Sequence, residues 1–108
     1  MAVFIVFSTF PDETSAREAA GRLVEEGSAA CASILGGMSS VYRWLGKTEV
    51  SSEVLLMVKT TQDAYPRLES SLKACHPYEL PEILAVRAEA GLPGYLEWVA
   101  EATARNKT

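Results

Sequence analysis

Residues 29–60 read AACASILGGMSSVYRWLGKTEVSSEVLLMVKT, and they constrain the fold more than any other segment of the 108-residue chain. They contain two extended segments, roughly Ala29 to Leu45 and Thr48 to Thr60, joined at Gly46-Lys47. The second segment includes Val54-Leu55-Leu56-Met57-Val58, an apolar run that is typical of an interior strand. Two such segments separated by a short turn with glycine predict a β-hairpin.

The predicted hairpin is too long for a solitary domain of this size. A strand of about fifteen residues spans roughly 50 Å, whereas a compact domain of about 100 residues is roughly 35 Å across. Unless a bulge or bend at Gly36-Gly37 folds the hairpin back, its tip projects beyond the core. The tip carries large apolar side chains, namely Val41, Tyr42, Trp44, Leu45 and Val50. Their exposure to water is unfavourable, so we predict an obligate homo-oligomer in which the hairpin extends a neighbour's sheet.

Before the hairpin, the sequence predicts one strand and one helix. Ala2 to Thr9 is a nearly continuous apolar and β-prone run, as expected for a central strand. Asp12 is the preferred N-cap of the helix, and Ser15 with Glu18 forms a competing capping box. Gly27 follows where a left-handed C-cap belongs. The apolar stripe of this helix consists of Ala16, Ala19, Ala20, Leu23 and Val24.

After the hairpin, two helices flank a short strand. A helix with Asp63 as its N-cap tolerates Pro66 at its third position and stops at Pro77. Its buried face consists of Leu68, Leu72 and Cys75. A strand follows from Ile83 to Ala88, and the last helix runs from Gly94 to about Ala104. The inner side of the last helix carries Leu96, Val99 and Ala100.

The predicted order, β-α-β-β-α-β-α, indicates an α+β fold in one domain, residues 1–108. Without the last helix it is the split β-α-β pattern of a ferredoxin-like sandwich, with two helices on one face of a four-stranded antiparallel sheet. With 48% hydrophobic and 22% charged residues, the composition is that of an ordinary globular chain.

Net charge and cysteine content indicate which partners and which cellular compartment to expect. The net charge is −4 and the pI about 5.0, and the basic residues are dispersed, so we expect no nucleic-acid partner. The first apolar run, Val3 to Phe7, is too short for a membrane span and lacks the features of a signal peptide. Two cysteines fit a reducing cytoplasm better than a disulfide-built secreted domain.

The segment His76-Pro77-Tyr78-Glu79-Leu80-Pro81-Glu82 concentrates the groups that could carry chemistry. It contains the only histidine, and its prolines stiffen the backbone. His76 reads either as a metal ligand or as a histidine that ends a helix and caps its carbonyls. Glu79 and Glu82 are candidate hard ligands, general bases or plain surface charges.

The hairpin strands carry the other candidates. Cys31 is either a soft thiolate ligand for copper or zinc or a small buried apolar residue. Tyr42 and Trp44 are better suited to subunit contacts than to a stacking platform. Lys59 either extends its ammonium to water or binds an anion. No nucleophile motif occurs. An enzyme that uses Cys31 with His76 as nucleophile and base is the one catalytic alternative, but no local signature supports this pair, so we expect no enzyme.

Six motifs occur together and in order: Pro11-Asp12-Glu13, Ala29-Ala30-Cys31, Ser40-Val41-Tyr42-Arg43-Trp44-Leu45-Gly46-Lys47, Val58-Lys59-Thr60-Thr61, His76-Pro77-Tyr78-Glu79-Leu80-Pro81-Glu82 and Tyr95-Leu96-Glu97-Trp98. In this combination the chain resembles the CutA divalent-cation-tolerance family. The resemblance implies a ferredoxin-like protomer in a homotrimer that is held by hairpin-mediated sheet extension, as in the PII signalling proteins. It also implies a role in tolerance of divalent cations, notably copper, with copper binding in some members and no established catalytic activity.

The resemblance also assigns site residues. Cys31 and His76 match positions proposed as copper ligands or pocket residues, and Glu82 is our third candidate metal ligand. The residues that match motif positions around the inter-subunit cleft are Tyr42, Trp44, Lys59, Glu79 and Glu82. Ser8 stands where some bacterial members have a cysteine, and a hydroxyl replaces a thiolate poorly as a copper ligand. The alternative is a PII-like module that binds a small anionic ligand without metal.

Overall fold

A computed structural model describes residues 2–105 and shows a four-stranded antiparallel sheet with three helices. The elements are β1 (Val3–Phe10), α1 (Glu13–Glu25), β2 (Cys31–Trp44), β3 (Lys47–Thr61), α2 (Tyr65–Cys75), β4 (Leu84–Arg87) and α3 (Pro93–Thr103). The strand order is β2-β3-β1-β4. The predicted α+β, ferredoxin-like arrangement with an added C-terminal helix is confirmed. None of the helices within residues 2–105 is long and apolar enough to cross a membrane.

The two faces of the sheet are covered differently. Helices α1 and α2 pack on one face, where Val6 of β1 lies opposite Val58 of β3 and both are fully buried. Helix α3 covers one end of the other face, where Val99 packs in a small cluster with Val3 and Ala30. The central strands of this second face are largely half-buried, and Leu84 and Val86 of the edge strand β4 are exposed on it in the protomer.

Both predicted ends of α1 are confirmed. Asp12 is the N-cap, and its Oδ1 accepts a hydrogen bond of 2.7 Å from the Ser15 amide. Gly27 adopts a φ of +80°, and the amides of Gly27 and Ser28 donate to the carbonyls of Val24 and Leu23. These two bonds form a Schellman motif, which needs a left-handed residue at this place. The assignment of Val24 to the buried stripe is wrong, because its side chain is 44% exposed.

The predicted N-cap of α2 is also wrong. The helix begins at Tyr65, and Ala64, not Asp63, occupies the N-cap position without a side-chain cap. The turn before it is held by Thr61 instead, whose Oγ1 accepts from the Ala64 amide at 3.2 Å. Pro66 lies in the first turn, as expected, but at the second helical position.

The hairpin turn lies one residue earlier than predicted. Trp44 pairs with Lys47, so the loop is Leu45-Gly46 and not Gly46-Lys47. Both loop residues have positive φ, +53° and +79°, which is the signature of a type I′ turn. The predicted bulge at the glycine pair is confirmed by a register shift between Leu35 and Met38.

Beyond the core, the hairpin continues as a two-stranded arm, residues 38–53. The last pair between β1 and β3 is Phe10 with Val54, and seven further pairs join β2 to β3 up to the turn. Seven residues of strand project about 23 Å. The molecule is accordingly 48 Å long and only 29 and 22 Å in its other dimensions. The apolar side chains of the arm are exposed, as predicted for a lone protomer, among them Val41, Tyr42, Trp44, Leu45 and Val50.

Candidate functional site

His76 ends helix α2, and its imidazole is buried. Nε2 lies 2.9 Å from the carbonyl oxygen of Thr9, and Nδ1 lies 3.0 Å from the backbone nitrogen of Tyr78. Because a carbonyl only accepts and a backbone N–H only donates, these partners assign the proton to Nε2. The ring stacks on Phe10, with ring centroids 4.2 Å apart. His76 therefore joins the end of α2 to strand β1.

The surroundings of His76 favour its neutral form. Burial lowers the pKa of His76 below its usual value, against the opposing effects of the Thr9 hydrogen bond and the Glu53 charge. The sequence left open whether this residue binds metal or ends a helix. Within the protomer it ends the helix, with its ring directed to Thr9 rather than to helix carbonyls. A metal ion at Nδ1 must displace the Tyr78 amide.

Tyr78 ties the segment 76–82 to the base of the arm. Its hydroxyl donates a hydrogen bond of 2.7 Å to Oε2 of Glu53, which pairs with Met38 across the hairpin. Burial, this hydrogen bond and the Glu53 charge raise the pKa of Tyr78 above its usual value. The segment is thus held at one end by His76 on β1 and in its middle by Tyr78 on the arm.

A second cluster lies on the face of the sheet that α3 partly covers. Cys31 of β2 pairs with Lys59 of β3, and its Sγ lies 3.5 Å from the hydroxyl of Tyr95 on α3. Cys31 and Lys59 are half-buried. The hydrogen bond to Cys31 and burial raise the pKa of Tyr95 above its usual value. Cys31 and Lys59 are therefore neighbours on a partly accessible part of the sheet, and the thiol of Cys31 lies beside α3.

Two residues of these clusters were missed as site residues at the level of sequence. Glu53 is the only charged residue between Val50 and Val58, and that isolation in an apolar strand was the available signal. Tyr95 belongs to the motif Tyr95-Leu96-Glu97-Trp98, but nothing in the sequence spacing indicates that it contacts Cys31.

The two clusters lie apart along the sheet. Cys31 is in the row that contains Lys59 and Ile5, whereas His76 contacts Thr9, four residues further along β1. Four residues of strand span about 13 Å. The protomer therefore does not bring Cys31 and His76 together as a nucleophile and base or as ligands of one ion.

The remaining predicted site residues are exposed. Glu79 and Glu82 lie on the surface of the loop before β4, and Tyr42 and Trp44 lie on the arm. The Tyr42 hydroxyl is 2.8 Å from Oγ of Ser51 on the opposite strand of the arm. Within residues 2–105, no three side chains of the His, Cys, Asp or Glu type are grouped closely enough to hold a metal ion.

Known proteins resemble this chain along almost all of its length. The family model described as "CutA1 divalent ion tolerance protein" matches residues 4–102. The divalent-cation tolerance protein CutA of Thermus thermophilus is 46% identical over 99 residues, which are 92% of this chain and 96% of that protein. Mouse Protein CutA is 41% identical over 102 residues, which are 94% of this chain and 58% of the longer mouse protein.

Solved structures give the same result. The structure of the T. thermophilus divalent cation tolerance protein superposes with a TM-score of 0.92 at 45% identity, covering 94% of this chain and 99% of the other. CutA1 from Oryza sativa superposes with a TM-score of 0.93 at 34% identity, covering 98% and 97%. The chain therefore belongs to the CutA1 divalent ion tolerance protein family.

Proposed function

We propose that this chain acts in tolerance of divalent cations as a cytoplasmic homotrimer that binds copper, or a related divalent ion, in clefts between its subunits. Family membership supports the role in cation tolerance. The family description names no reaction, and we propose a binding role rather than catalysis. The observation that carries the proposal of shared sites is the two-stranded arm, which projects with apolar side chains on both of its faces.

The arm supports a closed assembly of identical chains. Two-stranded ribbons are marginally stable on their own, so the arm needs cover from other chains. Strands β2 and β4 form the two edges of the sheet, and their outer backbone groups are available for pairing. Pairing the β2 edge of one copy with the β4 edge of the next is a head-to-tail contact, and we propose that the rotation between copies closes it into a ring. Three copies is the number that the family resemblance implies.

The proposed metal ligands are Cys31, His76 and Glu82. Because the register separates Cys31 from His76 within one protomer, an ion that contacts both takes them from different copies. A half-buried thiol is a soft ligand suited to copper, and Glu82 offers an exposed carboxylate. His76 contributes Nδ1 only after it releases the Tyr78 amide. Tyr42, Trp44, Lys59 and Glu79 are proposed to line the cleft around the ion.

Calorimetric titration with Cu²⁺, combined with sedimentation, tests this proposal. We expect the metal-free protein to sediment as three copies of 11.7 kDa, about 35 kDa. The substitutions Cys31→Ser and Glu82→Gln are expected to weaken copper binding by about tenfold or more each. Matched controls are Cys75→Ser and Glu25→Gln, which change the same residue types on the helical face and should leave binding unchanged. Equal affinity in all four variants contradicts the site, and an 11.7 kDa species contradicts the assembly.

The second candidate is a PII-like module for a small anionic ligand. It is favoured by Lys59, a half-buried cationic residue of β3 that pairs with Cys31 in the sheet. A thermal-shift screen of anionic metabolites separates the two functions, because a ligand that prefers the native state raises the unfolding temperature without metal. Loss of that shift in Lys59→Gln, with copper affinity unchanged, supports this second function.

A further inference from the structure

The turn at the end of the arm carries an apolar residue in an unfavourable place. We define the tip as residues 43–47. Leu45 has a φ of +53°, in the left-handed region that costs a branched apolar residue conformational energy, and it is 88% exposed. Asparagine or glycine at this turn position avoids both penalties. A leucine here therefore suggests that its side chain is buried in the assembled protein.

Positive charge surrounds this leucine. Arg43 and Lys47 are both exposed and flank the turn, and Arg43 Nη2 donates to the carbonyl of Gly46 at 3.2 Å. Trp44 is half-exposed on the same end of the arm. The tip thus presents an apolar centre, Trp44 and Leu45, between two cations. A complementary surface is apolar at its centre and acidic at its border.

Helix α3 presents such a surface. We define the α3 patch as Leu92, Tyr95 and Trp98, which are exposed, with the two aromatic rings 5.6 Å apart. Its border is acidic, because Glu97 and Glu101 are exposed and α3 contains no lysine or arginine. Val99, which lies about 40° around the helix axis from Tyr95, is already buried on its own protomer, whereas the three patch residues are 42–74% exposed. The α3 patch therefore faces outward.

We propose that the tip of one copy docks on the α3 patch of the next copy, with Leu45 packed against Tyr95 and Trp98 and with Arg43 and Lys47 facing Glu97 and Glu101. This inference rests on the proposed assembly and names the surface that receives the arm. Tip and patch are different surfaces, so each copy donates one and receives one, as a closed ring requires.

The contact must join two chains. Tyr95 contacts Cys31 at the start of β2, whereas the tip follows Trp44 at the end of β2. Thirteen residue steps along a strand span about 40 Å, so a tip cannot reach the α3 patch of its own protomer.

Photo-crosslinking of the full chain tests the proposal. With Leu45 replaced by p-benzoylphenylalanine, irradiation should give a covalent dimer on a denaturing gel. Trypsin cleaves after Arg87 and Arg105, so all of α3 lies on the single peptide 88–105, separate from the peptide 74–87 that carries Leu80. Mass spectrometry is expected to locate the crosslink on peptide 88–105.

Charge reversal at the tip and on α3 provides a second test. In the same photoprobe background, Arg43→Glu with Lys47→Glu should lower the yield of this crosslink about fivefold, because two exposed ion pairs become repulsive. Addition of Glu97→Lys with Glu101→Lys should restore the yield of the covalent dimer on the denaturing gel. Because trypsin also cleaves after these two substituted positions, the crosslink in this variant is sought on the peptides 88–97 and 98–101. The matched control, Arg17→Glu with Lys73→Glu on α1 and α2, should leave the yield unchanged.

The outcomes separate this inference from the proposed function. If the protein sediments as a trimer but the crosslink lies on peptide 74–87 or another peptide, or no crosslink forms, the docking on α3 is wrong. The proposed trimeric assembly then still stands. If the crosslink lies on peptide 88–105 but its yield does not change with the charge reversals, the proposed pairing of Arg43 and Lys47 with Glu97 and Glu101 is wrong. A monomer by sedimentation overturns the assembly and, with it, the docking.

Discussion

Ser8 is a polar group enclosed by the apolar core. It lies opposite Leu56 in the sheet and is fully buried, and its Oγ has no hydrogen-bond partner among residues 2–105. An unsatisfied buried hydroxyl opposes folding, so Ser8→Ala is expected to raise the free energy of unfolding by about 1 kcal/mol. In a domain of this size the unfolding temperature should rise by about 4–8 °C, measured by thermal unfolding followed by circular dichroism.

Ser28 provides the matched control for this prediction. It is also buried, but its hydroxyl has two acceptors for its single proton, the Glu26 carboxylate at 3.0 Å and the carbonyl of Leu23 at 3.3 Å. Ser28→Ala should therefore lower the free energy of unfolding by about 1 kcal/mol. The same sign of change in both variants would show that hydrogen bonding does not distinguish the two serines.

His76 should make stability depend on pH. Its pKa is lower in the folded chain than in the unfolded chain, where it is near 6.5, because burial disfavours the charged ring. On acidification below about 6.5 the unfolded chain takes up the proton first, so the free energy of unfolding falls. The neutral variant His76→Gln lacks this contribution.

Chemical denaturation at pH 7.5 and pH 5, in buffer with a chelator, measures this effect. The wild-type free energy of unfolding should drop more between the two pH values than that of His76→Gln. Equal drops in both proteins would mean that the protonated ring fits the folded site as well as the neutral one, contrary to its hydrogen bonds with Thr9 and Tyr78.

At the scale of an element, Gly21 inside α1 and Gly27 just after its end should respond in opposite directions to the same substitution. Gly21 lies inside the helix with open space where a Cβ would be, so Gly21→Ala should stabilise the protein by about 0.5–1 kcal/mol. Gly27 has equally open space but a φ of +80°, so Gly27→Ala should destabilise it by about 1 kcal/mol. Urea denaturation of both variants distinguishes backbone conformation from packing, since only the former differs between the sites.

The type and order of the elements could be predicted from sequence because each depends on local hydrophobic periodicity and on capping and turn residues at its ends. Asp12 and Gly27 mark the two ends of α1, and the bonds that form these ends join residues three to five positions apart, which a linear pattern contains. The errors arise where tertiary contacts decide. Val24 lies about 80° around the helix from Ala16, at the edge of the stripe, and it is 44% exposed in the folded chain. Thr61 replaces Asp63 as the group that holds the turn before α2.

The site could be predicted in part, for a similar reason. The sequence identifies 76–82 as a stiffened segment rich in functional groups, and the structure holds that segment at defined positions. The partners of His76 and Tyr78 lie 67 and 25 residues away in sequence, at Thr9 and Glu53. Such pairs depend on how strands and loops come together, which spacing within a segment does not encode.

The whole molecule is more elongated than a compact domain. Its radius of gyration is 14.6 Å, compared with about 13 Å expected for roughly 100 residues, and the arm accounts for the excess. Alternation along the arm places Val41 and Val50 on one face and Tyr42 and Trp44 on the other. Because both faces are apolar, cover on one face alone leaves the other in water. An assembly that surrounds the arm is therefore the arrangement that the surface favours.

Substitution of Val50 tests this argument at the scale of the assembly. Val41 and Val50 are cross-strand partners and are 67% and 68% exposed in the protomer. If assembly buries them, each valine contributes about 1.5–3 kcal/mol per subunit, and Val50→Lys loses this and buries a charge. Sedimentation at micromolar concentration should then show dissociation toward 11.7 kDa, with an unfolding temperature that rises with protein concentration. As a control, Val24→Lys, at an exposed valine of α1, should sediment as the wild type does. If Val50→Lys also sediments as the wild type does, the face of the arm that carries Val50 is not in a subunit contact.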